Sequence, residues 1–218
     1  IISGGPGRDG IPAIDDPQFL RVSDADLAAR EPVVTIEIDG AEPRAYPIRY
    51  LTWHEIVNDE VAGIPIAVTF CPLCNSGITF DRRVAQGVLS FGVSGKLRNS
   101  DMIMYDRETE SWWQQFTGEA IVGDMTGTQL KMIPAQMVAW KDFKAAFPDG
   151  RVLSTNGRNY GRNPYAGYDS SARPFLFLDT PDPRLASTDR VLGYFSGDTA
   201  IAYPLSILAE ENVIEDAI

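Results

Sequence analysis

Alternating apolar and polar residues mark the chain between residues 33 and 122. The stretch "EPVVTIEIDGAEPRAYPI" (31–48) alternates on both sides of Asp39-Gly40, a pair typical of tight turns, and predicts a β-hairpin. The uninterrupted apolar run "IPIAVTF" (64–70) predicts a buried strand. Further strands are expected at 78–82 and 88–93, as a hairpin, and on both sides of a turn near 107–109.

Helical spacing of apolar residues is confined to short stretches. Ser23 is a suitable N-cap for a helix over 23–30, and Pro134 suits the start of a helix over 134–147. Helices are therefore expected at 23–30, 49–63 and 134–147, strands at 151–155 and 173–179, a long polar loop at 156–171, and a hairpin over 190–205. The predicted fold class is α+β, mainly antiparallel β with a few short helices.

Two segments of the chain resemble each other. Residues 34–61 and 191–218 align without a gap at a constant offset of 157 residues, and Tyr46-Pro47 falls on Tyr203-Pro204. The pattern in both is strand, glycine turn (Gly40 and Gly197), strand and helix, so we expect an internally repeated hairpin-helix unit. Because the second copy stops where the first enters its buried strand, we expect the natural chain to continue beyond Ile218 or another chain to supply the missing part.

These patterns predict three regions. An extended N-terminal arm with a short helix covers residues 1–30, and a main β-rich domain covers 31–190. Residues 191–218 begin the second copy of the repeat, which is truncated.

Both cysteines of the chain lie in "VTFCPLCNSGITF" (68–80), as Cys71-Pro-Leu-Cys74. This spacing serves a disulfide, a two-electron redox pair or a soft-metal site. A thioredoxin-like motif needs a helix after the first cysteine, whereas "NSGITF" predicts a turn and a strand. A zinc knuckle needs a second cysteine pair, which the chain lacks. The three uses therefore stay open.

His54 is the only histidine, and it precedes the cysteine strand. We expect it near Cys71 or Cys74, as a proton acceptor for a thiol or as a third metal ligand. Met102 and Met104 are alternative soft ligands, although core packing is the more usual role of such residues. Residues suited to binding a substrate or partner are Arg98, Asn99, Asp101, Tyr105, Trp112, Arg162 and Tyr165.

Charge and hydropathy exclude some classes of function. The formal net charge is −11, which argues against nucleic acid as a partner because nothing here would neutralise a row of phosphates. No apolar run approaches the roughly 18 residues that span a bilayer. The sequence also lacks the nucleophile elbow, the Walker A motif, the dinucleotide glycine run and the H-E-x-x-H zinc motif.

Several stretches resemble an uncharacterised bacterial and archaeal family. They are "SGGPGRDGIPAID" (3–15), "RAYPIRYLTWHEIVND" (44–59), "TFCPLCNSGITFD" (69–81), "FGVSGKLRNSDMIMYDRETESWWQQFTGEAIVG" (91–123) and "NYGRNPYAGYD" (159–169). The resemblance implies a periplasmic or extracellular protein, with an upstream membrane anchor in some members. Some relatives are filed as candidate selenoproteins at the Cys-Pro-Leu-Cys motif, which implies reactive sulfur at Cys71 and Cys74.

Three functions fit these observations. The leading hypothesis is an extracytoplasmic thiol redox protein that uses Cys71, Cys74 and His54 on a small molecule or a protein thiol partner. The second is a soft-metal site for copper or zinc built from the same three residues. The third is a non-enzymatic binding module whose cysteines form a structural disulfide.

Overall fold

The structure, a computed structural model, describes residues 1–196, 199–211 and 213–216. The chain divides into two compact units, residues 1–164 and residues 165–218. None of the helices in the described ranges has the length and apolarity that crossing a membrane requires.

Short strands make up most of the regular structure. In chain order they are β1 (Ile2–Ser3), β2 (Phe19–Arg21), β3 (Pro32–Ile36), β4 (Arg44–Pro47), β5 (Ile56–Val61), β6 (Ile64–Cys71), β7 (Ser76–Asp81), β8 (Arg83–Val84), β9 (Gly87–Val88), β10 (Phe91–Arg98), β11 (Asp101–Asp106), β12 (Trp112–Gln114), β13 (Ala120–Val122), β14 (Met132–Ile133), β15 (Ala135–Ala139), β16 (Arg151–Leu153), β17 (Val191–Ser196) and β18 (Thr199–Pro204). The helices are α1 (Ile48–His54), α2 (Trp140–Ala146) and α3 (Leu205–Glu210). This content confirms the prediction of mainly antiparallel β-structure with a few short helices.

Three sheets of four or five strands build most of the first unit, beside the two-stranded pair β8–β9. The cysteine sheet has the strand order β14-β7-β6-β5, and the aspartate sheet has the order β1-β10-β11-β12-β13. The third sheet has the order β15-β3-β4-β16-β2, in which only β4 and β16 run parallel. The N-terminal arm contributes an edge strand to two of them, because β1 pairs with β10 and β2 pairs with β16.

The cysteine sheet is buried on both faces, which explains the uninterrupted apolar run of β6. On one face Ile66, Val68 and Phe70 pack with α1 and the third sheet. On the other face Ala67 and Cys71 pack with Phe80, Phe91, Met104 and Trp113 between the cysteine sheet and the aspartate sheet. Since successive side chains of a strand point to opposite faces, the position of Cys71 in the strand directs its sulfur toward the aspartate sheet.

Two of the predicted helices are shorter than expected. The helix predicted over 49–63 begins as α1, but its second half forms β5. The helix predicted over 134–147 ends as α2, but its first residues form β15. Both segments complete a sheet edge, since β5 pairs with β6 and β15 pairs with β3. The gain from pairing and burial outweighs local helical preference.

The predicted helix over residues 23–30 is wrong. Only a 3-10 turn, Val22–Asp24, forms there. The carbonyls of Ala29 and Glu31 accept hydrogen bonds from the backbone N–H groups at the start of α2 instead. Tertiary hydrogen bonds thus replace those that a local helix would make.

The predicted hairpin between 78–82 and 88–93 is also wrong. β7 pairs with β6 and β14, whereas β10 pairs with β11 and β1. Only the two-residue strands β8 and β9 join these segments. The chain crosses from one sheet to the other here, so two alternating stretches that are close in sequence belong to different layers.

The second unit contains the hairpin β17–β18 followed by α3. The expected strand over 173–179 is absent from this described segment, which forms turns. Gly197, one of the repeat identities, lies outside the described residues. The flanking strands β17 (Val191–Ser196) and β18 (Thr199–Pro204) pair as the predicted hairpin.

Candidate functional site

The two cysteines lie on a tight hairpin of the cysteine sheet. Cys71 ends β6 and pairs with Ser76, which begins β7, so the turn consists of residues 72–75. Asn75 closes the turn with a φ of 49°, a left-handed conformation that asparagine tolerates well. Both cysteines are free, Cys71 buried and Cys74 half-buried. Their Sγ atoms are 2.9 Å apart.

A hairpin of the aspartate sheet brings a carboxylate to the sulfurs. Arg98 pairs with Asp101 across a two-residue turn in which Asn99 and Ser100 have φ values of 51° and 61°. This turn places Asp101 Oδ1 3.2 Å from Cys74 Sγ, and the Ser100 carbonyl oxygen 3.6 Å from the same sulfur. One ligand atom from each of Cys71, Cys74 and Asp101 lies within 4.8 Å of the other two. We call these three residues the sulfur–carboxylate site.

The outer oxygen of Asp101 is held by the protein. Asp101 Oδ2 accepts hydrogen bonds from the Phe116 N–H, at 2.9 Å, and from the Gln114 side-chain amide. The inner oxygen, Oδ1, is thereby left facing the sulfurs. A carboxylate whose outer oxygen is fixed in this way is oriented like a metal ligand with its supporting hydrogen bonds in place.

Gln115 joins the two hairpins. Its buried amide donates to Thr69 Oγ1 at 2.9 Å and to the Ser76 carbonyl at 3.2 Å, and its Oε1 accepts from Ser76 Oγ at 3.0 Å. These bonds tie the segment after β12 to the cysteine hairpin. The separation between the sulfurs and Asp101 is therefore set by side-chain hydrogen bonds as well as by core packing.

The electrostatic surroundings disfavour thiolates. The pKa of the Cys74 thiol is raised by its hydrogen bond with Cys71 first, then by burial, and then by the charges of Cys71 and Asp101. Burial also raises the pKa of Asp101, an effect that the Phe116 and Gln114 donors partly offset. Additional negative charge at this site therefore needs a compensating cation.

Glu55 is a second buried acidic residue, and its backbone is bonded to the cysteine strand. It follows α1 in the left-handed conformation, with a φ of 58°, and its side chain is only 6% exposed. Burial first, and then the charge of Asp101, raise the pKa of Glu55 to about 8. Its backbone carbonyl accepts a hydrogen bond from Phe70, the residue before Cys71. Sequence inspection missed this residue, because a single glutamate after a helix carries no signal of burial.

The structure places His54 in another network. Its Nδ1 donates to the Pro12 carbonyl at 2.6 Å, so the neutral ring has its lone pair on Nε2. Nε2 accepts from Tyr160 Oη at 3.0 Å and lies 3.2 Å from Arg158 Nη1. Burial, which is the largest effect, lowers the pKa of His54. The group around the sulfurs in the described residues contains Asp101 and not His54, whose two ring nitrogens have other partners.

The residues expected to bind a substrate or partner do not form one cluster in the first unit. Asp101 belongs to the sulfur–carboxylate site, and Arg98 and Asn99 are exposed at the same hairpin end, where Arg98 Nη1 lies 3.4 Å from Gln114 Oε1. Tyr105 is buried, donates to Asp9 and lies under the Arg8 guanidinium, so it anchors the N-terminal arm. Trp112 is half-buried beside it in the sheet.

The polar loop after β16 is divided between the units. Arg162 is exposed in the first unit, whereas Tyr165 belongs to the second unit and stacks on Phe175. Tyr160 stacks on Tyr50 with 4.8 Å between ring centroids. It also lines a cavity of about 220 Å³, together with Glu31, Pro32, Ile48, Arg49, Thr52, Trp53, Gly161 and Asn163.

Met102 and Met104 are buried in the core between the cysteine sheet and the aspartate sheet. This position agrees with a packing role. The donors that meet at the site are therefore two sulfurs and a carboxylate oxygen.

Comparison with known proteins gives one result. The model of a family described as "Protein of unknown function (DUF3179)" matches residues 8–218. Neither a curated protein nor a solved structure matches the chain. The match confirms the resemblance to an uncharacterised family.

Proposed function

Because the chain belongs to the DUF3179 family, whose function is unknown, we propose its function from the site itself: it binds a metal ion of the zinc class through Cys71, Cys74 and Asp101. The observation that carries the proposal is the meeting of two sulfurs and an oriented carboxylate oxygen within 4.8 Å of one another.

The electrostatics of the site support a cation. Cys71 and Asp101, the strongest neighbours of Cys74, both raise its thiol pKa, so Cys74 holds its proton tightly in the metal-free protein. A bound dication reverses this preference, because it stabilises two thiolates and a carboxylate together. The proposed binding reaction therefore releases the thiol protons to solvent as two metal–sulfur bonds form.

The donor set favours zinc over copper. Thiolates alone suit copper(I), but a carboxylate oxygen is a hard donor that zinc accepts and copper(I) does not favour. With Asp101 as the third donor, zinc is therefore the preferred ion.

Metal titration of the reduced, chelator-treated protein tests the proposal. We expect one Zn²⁺ per chain by competition with a chromophoric chelator, and one Co²⁺ with a thiolate-to-metal charge-transfer band. Cys71→Ser and Asp101→Asn should weaken binding at least tenfold, whereas His54→Gln should leave it unchanged. A wild-type protein that binds neither ion above background refutes the proposal.

A dithiol–disulfide couple is the second candidate function. It is supported by the 2.9 Å contact between Cys71 Sγ and Cys74 Sγ. In that reaction the two thiols lose two electrons and two protons to a partner disulfide, which is reduced to two thiols. The raised Cys74 pKa opposes it, since the thiolate is the attacking form. A Cys71–Cys74 reduction potential well below about −300 mV would indicate a structural bond and exclude this candidate.

We also propose that the protein works outside the cytoplasm, as the family resemblance implies. Fractionation of producing cells tests this location. Recovery of the mature chain in the cytosolic fraction alone would refute it.

We further propose that the second unit begins a copy of the β3–β4–α1 unit. Tyr46 Oη donates to Asp59 Oδ2 at 2.6 Å, and Tyr203 Oη donates to Asp216 Oδ2 at 3.2 Å, so the same bond joins residues at the same offset. Both helices also follow a proline in the extended conformation. The strand register differs by one residue, since Val34 pairs with Tyr46 but Val191 pairs with Pro204.

Hydrogen exchange tests this relation between the two units. In each unit, replacing the tyrosine of the bond by phenylalanine should lower amide protection in the strand that carries it. A Tyr203→Phe protein with unchanged protection of β18 would contradict the proposed equivalence.

A further inference from the structure

A backbone oxygen lies beside the sulfur–carboxylate site in addition to its three side chains. Cys71, Cys74 and Asp101 offer three ligands, whereas a zinc ion in a closed protein site is bound by four. The carbonyl oxygen of Ser100 is 3.6 Å from Cys74 Sγ and 4.0 Å from Cys71 Sγ. Its distances, its place in the turn and its acceptor role each bear on the fourth ligand.

The distances between the oxygens and the sulfurs fit a tetrahedral zinc site. With zinc–sulfur bonds of about 2.3 Å and zinc–oxygen bonds of about 2.1 Å, tetrahedral angles put a sulfur and an oxygen ligand about 3.6 Å apart. The Ser100 oxygen is 3.6 Å and 4.0 Å from the sulfurs, and Asp101 Oδ1 is 3.2 Å from Cys74 Sγ. All three separations are within about 0.4 Å of the tetrahedral value, so small shifts bring both oxygens onto one ion.

The sulfurs themselves must separate when an ion enters. Two sulfur ligands of a tetrahedral zinc ion are about 3.8 Å apart, whereas Cys71 Sγ and Cys74 Sγ are 2.9 Å apart in the structure. Cys74 is half-buried on the turn, while Cys71 is buried at the end of β6. A rotation of the Cys74 side chain therefore supplies the separation without disturbing the strand.

The turn between β10 and β11 fixes the position of the carbonyl. Arg98 pairs with Asp101, and both turn residues between them have positive φ values, 51° for Asn99 and 61° for Ser100. A two-residue turn of this kind holds its backbone in one conformation between paired strands. Because Ser100 and Asp101 are consecutive, the same turn delivers a carbonyl and a carboxylate oxygen to the two sulfurs.

Both oxygens act as acceptors for the thiols. Cys74 Sγ donates to Asp101 Oδ1 and to the Ser100 carbonyl, and Cys71 Sγ donates to the Ser100 carbonyl. Metal binding replaces thiol protons, so an oxygen that faces those protons in the metal-free protein faces the ion in the loaded one. We propose that the Ser100 carbonyl oxygen is the fourth ligand of the ion held by Cys71, Cys74 and Asp101, an inference that rests on the proposed metal-binding function.

The charge of the site favours a neutral fourth ligand. Two thiolates and one carboxylate carry three negative charges against the two positive charges of the ion. Burial already raises the pKa of Asp101, so a further anion at this place would be costly. The Ser100 carbonyl completes the coordination without adding charge.

Water is the competing fourth ligand. Catalytic zinc sites keep a water at that position, whereas structural sites are closed by protein ligands. Coordination by Ser100 makes this site closed, because its oxygen occupies the position that a water or an added anion would take. The two alternatives therefore differ in their response to an external ligand.

Co²⁺ binding in the presence of azide tests whether the site is closed. For wild type we expect a four-coordinate visible spectrum that added azide does not change. The carbonyl-carbon NMR signal of Ser100, followed in isotopically labelled protein, should move on Zn²⁺ binding by more than that of Asn99, the other residue of the turn.

An amide-to-ester substitution tests the carbonyl directly. The α-hydroxy analogue of aspartate at position 101 keeps the side chain but turns the Ser100 carbonyl into an ester carbonyl, which is a poorer donor. We expect at least about tenfold weaker Zn²⁺ binding and a Co²⁺ spectrum that azide shifts. The α-hydroxy analogue of serine at position 100 makes the same change at the Asn99 carbonyl and is the matched control, which should bind as wild type. Circular dichroism of the metal-free proteins verifies that each is folded.

The outcomes separate the two proposals. If wild type binds Co²⁺ and azide changes its spectrum, or if the Ser100 carbonyl signal moves no more than that of Asn99, the carbonyl is not a ligand, although the metal site stands. If wild type binds neither Zn²⁺ nor Co²⁺, the metal-binding function itself fails and the fourth ligand with it.

Discussion

Replacing Asp101 with asparagine should lower the pKa of the Cys74 thiol in the metal-free protein. Asp101 Oδ1 lies 3.2 Å from Cys74 Sγ and is among the groups that raise the Cys74 pKa. Asparagine has the same shape and keeps an oxygen for the Phe116 N–H, but it carries no charge. Its amide N–H group would then face the sulfurs and stabilise a thiolate.

The magnitude follows from the distance between the two charges. At 3.2 Å the repulsion between unit charges is about 1.3 kcal/mol in water and about 5 kcal/mol at an effective dielectric constant of 20. These energies correspond to about one to four pKa units. Because Cys74 is half-buried, we expect a decrease of at least about one unit.

Alkylation by iodoacetamide as a function of pH, followed by mass spectrometry, measures this pKa. The profile of Asp101→Asn should shift to lower pH, while Asp124→Asn, an equal charge change at an exposed position, should leave it in place. An unshifted profile, or an equal shift in both variants, would mean that the Asp101 carboxylate does not act on the sulfurs.

Four further predictions follow from the same geometry. Zn²⁺ affinity should rise steeply with pH, because the raised Cys74 pKa means that thiol protons must be displaced; a flat affinity between pH 6 and 8 in chelator competition would contradict this. In the metal-free protein burial raises the pKa of Glu55 from an ordinary 4.5 to about 8, so its contribution to stability is present at low pH and is lost as pH rises from 4.5 through about 8. Urea unfolding should show this loss, by at most about 1.4 kcal/mol per pH unit, and Glu55→Gln should remove it. Gln115→Ala should destabilise the protein by about 2 kcal/mol and weaken metal binding, since it removes the hydrogen bonds that join Gln115 to Thr69 and Ser76; unchanged unfolding in urea would refute the role of Gln115. Tyr46→Phe should lower the free energy of unfolding by about 1.5 kcal/mol or more, because Tyr46 donates a hydrogen bond to the buried Asp59 carboxylate. Thermal unfolding measures this loss, and the control is Tyr105→Phe, whose partner Asp9 is exposed.

The strands and turns that depend mainly on neighbouring residues could be predicted from the local sequence pattern. The alternation around Asp39-Gly40 predicted β3 and β4, and the apolar run predicted β6 with Cys71 at its end. Periodicity did not predict where sheets would recruit additional strands. β5 and β15 have sequences that suit a short helix, and they are strands because β6 and β3 offer them open edges.

The candidate site shows the same limit. The spacing of Cys71 and Cys74 drew attention to the sulfurs, but the expected third partner was the single histidine, whereas Asp101 is the residue that lies beside them. Asp101 was recognised as a polar residue of interest without its relation to the sulfurs. Glu55 gave no signal, since burial of one side chain depends on layers that are distant in sequence.

The sequence by itself determined the fold class, the cysteine hairpin and the acidic character of the chain, because turn chemistry, strand alternation and charge are local properties. Only the tertiary structure decided what faces the sulfurs. The β10–β11 turn and the cysteine hairpin belong to different sheets, and packing of the two sheets against each other brings Asp101 to the sulfurs. That meeting arises from contacts between residues far apart in the chain, which no pattern in a single sequence records.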